Sequence, residues 1–198
     1  MMKSDTIDYG IDLGTTNSSI AKLNGKEVEV IENNENQKLT PSAVWISEKN
    51  RLFTGQYAKN RLFEDPENAY SKWKPSMGKT DIVYTFAKTG RAMTPEELSS
   101  EILKSLRADV KQRKGDDVDA AVITVPADFE LHQVDATKKA ADLAGIKTCE
   151  ILQEPIAAAM AYGFLAKGEE GDWMVYDFGG GTFDVSVLEI GEGVFEVK

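Results

Sequence analysis

The sequence predicts an α/β fold: a mixed sheet flanked by helices, carrying an inserted α+β subdomain. Three observations predict it. Segments with a period of two lie near both ends of the chain, at residues 7–32 and 173–197, and both follow one plan. Between them, helical patterns alternate with a continuous apolar run at Ala120–Val125, the order expected of a sheet with crossover helices. Residues 41–94 keep no single period, which fits an insertion better than a continuation of the sheet.

Taken in order, Ile7, Tyr9, Ile11 and Leu13 alternate with Asp8, Gly10 and Asp12, giving a first strand. A Gly14-Thr15-Thr16-Asn17 turn, a strand over Ser18–Leu23, an Asn24-Gly25 hairpin turn and a strand over Glu27–Glu32 complete a three-strand meander. Thr94-Pro95-Glu96-Glu97 offers an N-cap, a proline at the first helical position and a carboxylate at the third. Leu98, Ile102, Leu106 and Val110 then line one face of a helix that Gly115 closes. Ala120–Val125 reads as a strand covered on both faces and stopped by Pro126. Glu130–Ala144 is helical and ends at Gly145, Ile146–Leu152 is strand-like, and Pro155 opens a helix of small residues. Phe164–Asp172 is the hinge candidate. Trp173–Phe178, Gly179-Gly180-Gly181-Thr182, Phe183–Ile190, a Gly191-Glu192-Gly193 turn and Val194–Val197 repeat the plan of the opening.

Composition narrows the function classes. Of 198 residues, 41% are hydrophobic and 28% charged, the balance of a globular domain. A net charge of −10 speaks against a phosphate-backbone binder, and no nucleic-acid partner is expected. One cysteine, Cys149, excludes an internal disulfide and a cysteine-only zinc site; it reads as a small core residue. One histidine, His132, argues against a His-rich metal centre and an ordinary Ser-His-Asp triad. No apolar run is long enough for a membrane span and no signal peptide opens the chain, so the expectation is a soluble, cytoplasmic protein without a membrane partner.

The chemistry lies in the two turns. Gly14-Thr15-Thr16 and Gly179-Gly180-Gly181-Thr182 each offer backbone N–H groups that can converge on an anion, and glycine lets the backbone come close. Each follows an aspartate at a strand end, Asp12 or Asp177. A carboxylate there is costly without a cation or hydrogen-bond partner. Two of them beside one phosphate cradle suit a hydrated magnesium ion. Gly78-Lys79-Thr80 is not a P-loop, because Trp73 stands where its first glycine belongs.

Asp12–Ser18, Ile123-Thr124-Val125-Pro126-Ala127, Glu154-Pro155 with its following alanines, and Asp177–Ser186 together resemble the DnaK-type seventy-kilodalton heat-shock chaperones, in order and over essentially the whole chain. The resemblance implies an actin-like ATPase lobe, of ribonuclease H-like fold, with ATP or ADP and Mg2+ in a cleft between two related halves. It implies that Gly14, Thr15, Thr16 and Asn17 form a first phosphate loop and Gly179, Gly180, Gly181 and Thr182 a second. Asp12 and Asp177 would hold magnesium through water, and Asp184 would lie near the metal or a bound K+. Lys74 would reach the terminal phosphate, Glu154 would lie on the cleft floor, and Pro126 would relay nucleotide state. From the residues alone Lys74 reads only as a surface lysine. The general base stays open among Glu154, Asp177 and Asp184.

On this resemblance the first lobe spans 1–168 with an insertion at about 41–94, and 169–198 begin a truncated second lobe. The implied partners are unfolded polypeptides bound through a C-terminal domain, a J-domain co-chaperone and a nucleotide exchange factor. ATP hydrolysis is expected of the full-length family protein, and impaired turnover and self-association of the chain itself. Three positions depart from the family. Pro75 replaces an arginine beside the nucleotide base, and Val134 and Glu150 replace arginines tied to J-domain docking, so a weak J-domain response is expected. A sugar or acid kinase of the same fold, and a non-hydrolysing relative acting as scaffold or exchange partner, are the competing classes.

Overall fold

The computed structural model describes residues 6–163, 170–180 and 183–198. Its central sheet is built from β1 (Tyr9–Leu13), β2 (Asn17–Asn24), β3 (Glu27–Val30), the two-residue β4 (Thr40–Pro41), β10 (Ala120–Val125) and β11 (Thr148–Gln153). The order is β11-β10-β1-β2-β3, with β4 also paired to β2. β10 runs parallel to β1 and β11, whereas β1, β2 and β3 form an antiparallel meander, so the sheet is mixed. The β2–β3 hairpin turn is Gly25-Lys26, closed by the Asn24–Glu27 pair, one residue later than the Asn24-Gly25 turn expected. Gly25 adopts φ +65°, which a glycine takes without strain.

Residues between β4 and the first long helix form β5 (Ala43–Ile46), β6 (Leu52–Thr54), α1 (Gly55–Glu64), β7 (Ala69–Ser71), β8 (Tyr84–Phe86) and β9 (Arg91–Met93). These make a three-stranded sheet, β6-β5-β7, and a separate β8-β9 hairpin. The α2 helix (Pro95–Lys114) has the predicted limits: Thr94 and Glu97 form a capping box and Gly115 closes it at φ +77°. Leu98, Ile102, Leu106 and Val110 are buried in the core beside Ile11, Ile20 and Ile123.

Two strand expectations need correction. Ala120–Val125 is not covered on both faces: Ala121, Ile123 and Val125 are buried while Ala120, Val122 and Thr124 remain partly exposed. β11 starts at Thr148, not at Ile146. The α3 helix (Leu131–Leu143) ends in a Schellman motif in which Ile146 N–H donates to the Ala141 carbonyl and Gly145 N–H to that of Asp142. The apolar side chain of Ile146 therefore seals the helix end instead of starting the strand.

The α4 helix (Glu154–Ala161) follows β11 without a loop and packs against β10, β11 and the next sheet. That sheet contains β12 (Gly171–Phe178), β13 (Phe183–Gly191) and β14 (Val194–Val197), in sequence order. Residues 164–169 of the expected hinge lie outside the described residues. Cys149 is half-buried in β11 against the core, and burial pushes its thiol up to about 11. Among the described residues no helix is long and apolar enough to cross a membrane.

Candidate active site

A cleft of about 640 Å³ opens where the β1–β2 turn, the ends of β10 and β11, and the β12–β13 turn converge. The first loop is shaped by close contacts. A Cβ on Gly14 would sit 2.1 Å from the Asn17 carbonyl oxygen, so only glycine fits this turn. Ser42, next to β4, anchors the loop from behind. Its Oγ donates to the Gly14 carbonyl at 2.7 Å and its N–H to that of Thr16 at 2.8 Å. Nothing in sequence spacing points to Ser42, because its partner Gly14 lies 28 residues away.

The second loop meets the first directly. A Cβ on Gly180 would lie 2.8–2.9 Å from the Thr16 side chain, so the two turns touch through a bare glycine. The Thr16 hydroxyl is buried and has no hydrogen-bond partner among the described residues. Gly179 lines the cleft beside Gly180, together with Thr15 and Asn17. Gly181 and Thr182, expected in the same loop, lie outside the described residues.

Lys74 is the main surprise relative to a surface lysine. It is 7% exposed, its Nζ donates to Glu154 Oε1 at 2.7 Å and it lies 5.6 Å from the centre of the Phe129 ring. Among the described lining residues it is the only basic side chain, facing Asp12, Asp128, Glu154, Asp177 and Asp184. Burial raises the pKa of Glu154; the charge and hydrogen bond of Lys74 oppose this, and Asp12 and Asp177 add to it. The cleft walls likewise strip water from Asp12 and raise its pKa, against the attraction of Lys74 and a bond from Thr124 Oγ1 at 3.5 Å.

Asp177 and Asp184 are directly opposed across β12 and β13. Like charges in such a pair repel each other unless a cation sits between or beside them. Sequence reading named both aspartates without seeing that the strand register sets them opposite each other. It also missed Asp128, Phe129 and Gln133, which line the cleft from the turn after Pro126 and the start of α3. His132 is half-exposed near the start of α3, with Nδ1 3.2 Å from Glu130, outside the cleft.

Among the described residues no group of three or more His, Cys, Asp or Glu side chains could ligate one ion directly. The residues nevertheless fit a phosphate chain with a hydrated cation: a glycine cradle, an orphaned hydroxyl, one lysine and a surplus of carboxylates. The family model described as Hsp70 protein matches residues 8–198.

Proposed function

The chain belongs to the Hsp70 family of ATP-binding chaperones, whose ATPase domain is actin-like, and from that premise we propose that its cleft binds ATP with magnesium and supports hydrolysis. The observation that carries this reading is the meeting of the Gly14–Asn17 and Gly179–Gly180 turns around a buried Thr16 hydroxyl with no hydrogen-bond partner among the described residues, with Lys74 as the cation beside them.

In this reading the backbone N–H groups of both turns and the Thr15, Thr16 and Thr182 hydroxyls orient the phosphates. Lys74 leaves Glu154 for the terminal phosphate and offsets negative charge as it builds during transfer. Magnesium, when bound, supplies further positive charge at the phosphates. Asp12 and Asp177 would hold it through water, and Asp184 would lie near it or a K+ ion. Glu154, freed from Lys74 in a site whose burial raises its pKa, orients the attacking water; Glu154, Asp177 and Asp184 share the candidacy for general base.

We further propose the division at 1–168 and 169–198, with the insertion at about 41–94, a DnaK-like cycle acting on unfolded polypeptides, and a cytoplasmic location. A J-domain co-chaperone and an exchange factor are the regulators in that cycle. With Val134 on α3 and Glu150 on β11, J-domain stimulation is expected to be weak.

Calorimetry with ATP, with and without magnesium, tests the central claim. The parent should bind more tightly with magnesium, and the Asp12→Asn, Asp177→Asn double variant should lose that dependence. Identical magnesium dependence in the two proteins refutes the assignment.

A further inference from the structure

Lys74 sits on a short and strained piece of backbone. It opens a single 3-10 turn, Lys74–Ser76, between Lys72 at φ +61° and Gly78 at φ +76°. Three residues of 3-10 helix have no stability of their own, and a non-glycine residue in the left-handed region adds strain. Something outside the turn must hold it.

Two side chains one helical turn apart on α2 do so. The Trp73 indole N–H donates to Ser99 Oγ at 2.9 Å, and the Ser99 hydroxyl lies 3.4 Å from the sulfur of Met77. The Gly78 N–H donates to Glu96 Oε1 at 3.1 Å. Ser99 thus holds the residue before Lys74, and Glu96 the residue two beyond the turn. Trp73, Met77, Glu96 and Ser99 are all buried, so the Trp73–Ser99 bond has no water to replace it, while the Glu96–Gly78 bond is part-buried. On its other side Gly78 abuts His132 so closely that a Cβ would lie 2.6 Å from the imidazole.

We propose that Glu96 and Ser99 are positioning residues for Lys74: α2, which contributes no side chain to the cleft wall, fixes how deeply the lysine reaches into it. The functional weight of this rests on the reading of Lys74 as the phosphate-facing cation, whereas the clamp itself does not. Glu96 and Ser99 keep Lys74 directed at Glu154 before any ligand arrives, and leave only its flexible side chain to move when one does.

Lysine acetylation by an N-hydroxysuccinimide ester, read by mass spectrometry on the folded full chain, tests it. Lys72 and Lys79 are exposed on the same segment and serve as internal references. In Glu96→Ala the acetylation of Lys74 relative to those references should rise about tenfold, because the Gly78 N–H loses its acceptor and the turn opens more often. Glu96→Gln, which keeps an acceptor for Gly78, should restore the parental rate. Trp73→Phe, which keeps an aromatic ring at the position and removes the N–H donor, should behave like Glu96→Ala and carries the test if that variant does not fold. Unchanged Lys74 reactivity in the folded variants overturns the proposal. So does a rise shared equally by Lys104 and Lys147 on other surfaces, which would report general loosening. Added ATP and magnesium should protect Lys74 in the parent; absence of protection would overturn the nucleotide reading and leave the clamp standing.

Discussion

Asp109 is buried on α2, and one of its carboxylate oxygens meets no donor among the described residues. Burial pushes its pKa up to about 6, against a bond from the Asn34 backbone and the charge of Arg113. The folded chain therefore holds this proton to a higher pH than the unfolded one. Its contribution to stability is full below about pH 4 and is lost as pH rises through 6. Asp109→Asn should be more stable than the parent at pH 7.5, by on the order of 2 kcal/mol, and equal to it near pH 4. Urea unfolding at the two pH values decides, and a difference that does not shrink on acidification would refute the sign. Single residues of this kind escape sequence reading. Asp109 and Lys74 both look like solvated charges in a sequence, and only neighbours brought from elsewhere make them buried. The aspartates and glycines of the cleft were legible because each sits beside its own turn.

Elements whose ends are set by local chemistry were read closely. The α2 helix follows from Thr94, Pro95, Glu97 and Gly115, all within one turn of its limits. Where a boundary depends on a tertiary choice, sequence reading misplaced it: Ile146 could serve either the strand or the helix seal. The exposure of Val122 and Thr124 depends on what covers the sheet, which periodicity does not record. In the β12–β13 hairpin the Asp177–Asp184 pair is a local conflict. Asp184→Asn should slow amide hydrogen exchange in these strands by an amount equivalent to about 0.2–1 kcal/mol at low ionic strength. The gain should fade as salt screens the parent's repulsion. A gain independent of salt would point away from charge.

Across the whole molecule, the β12–β13 ribbon buries Leu188 and Ile190 but leaves Met174, Tyr176, Phe178, Phe183, Val185 and Val187 exposed on one face. These residues pair as Met174–Val187, Tyr176–Val185 and Phe178–Phe183, so they form one continuous apolar strip. A strip of this kind favours association with another copy. Sedimentation velocity should show mass rising with concentration for the parent and less so for Phe178→Ser, Phe183→Ser; equal behaviour would remove this strip as the cause. A different consequence follows from the position of β1 between β2 and β10. During synthesis β2 arrives at once, yet the parallel neighbour arrives only after the whole insertion and α2. Tyr9 waits 107 residues for the Asp116 carboxylate that accepts its hydroxyl, roughly 5–20 s at ordinary ribosomal speed. For that interval Ile11 and Leu13 emerge on a nascent chain with one strand edge bare. A member of a family that binds unfolded polypeptides thus begins its own life as one.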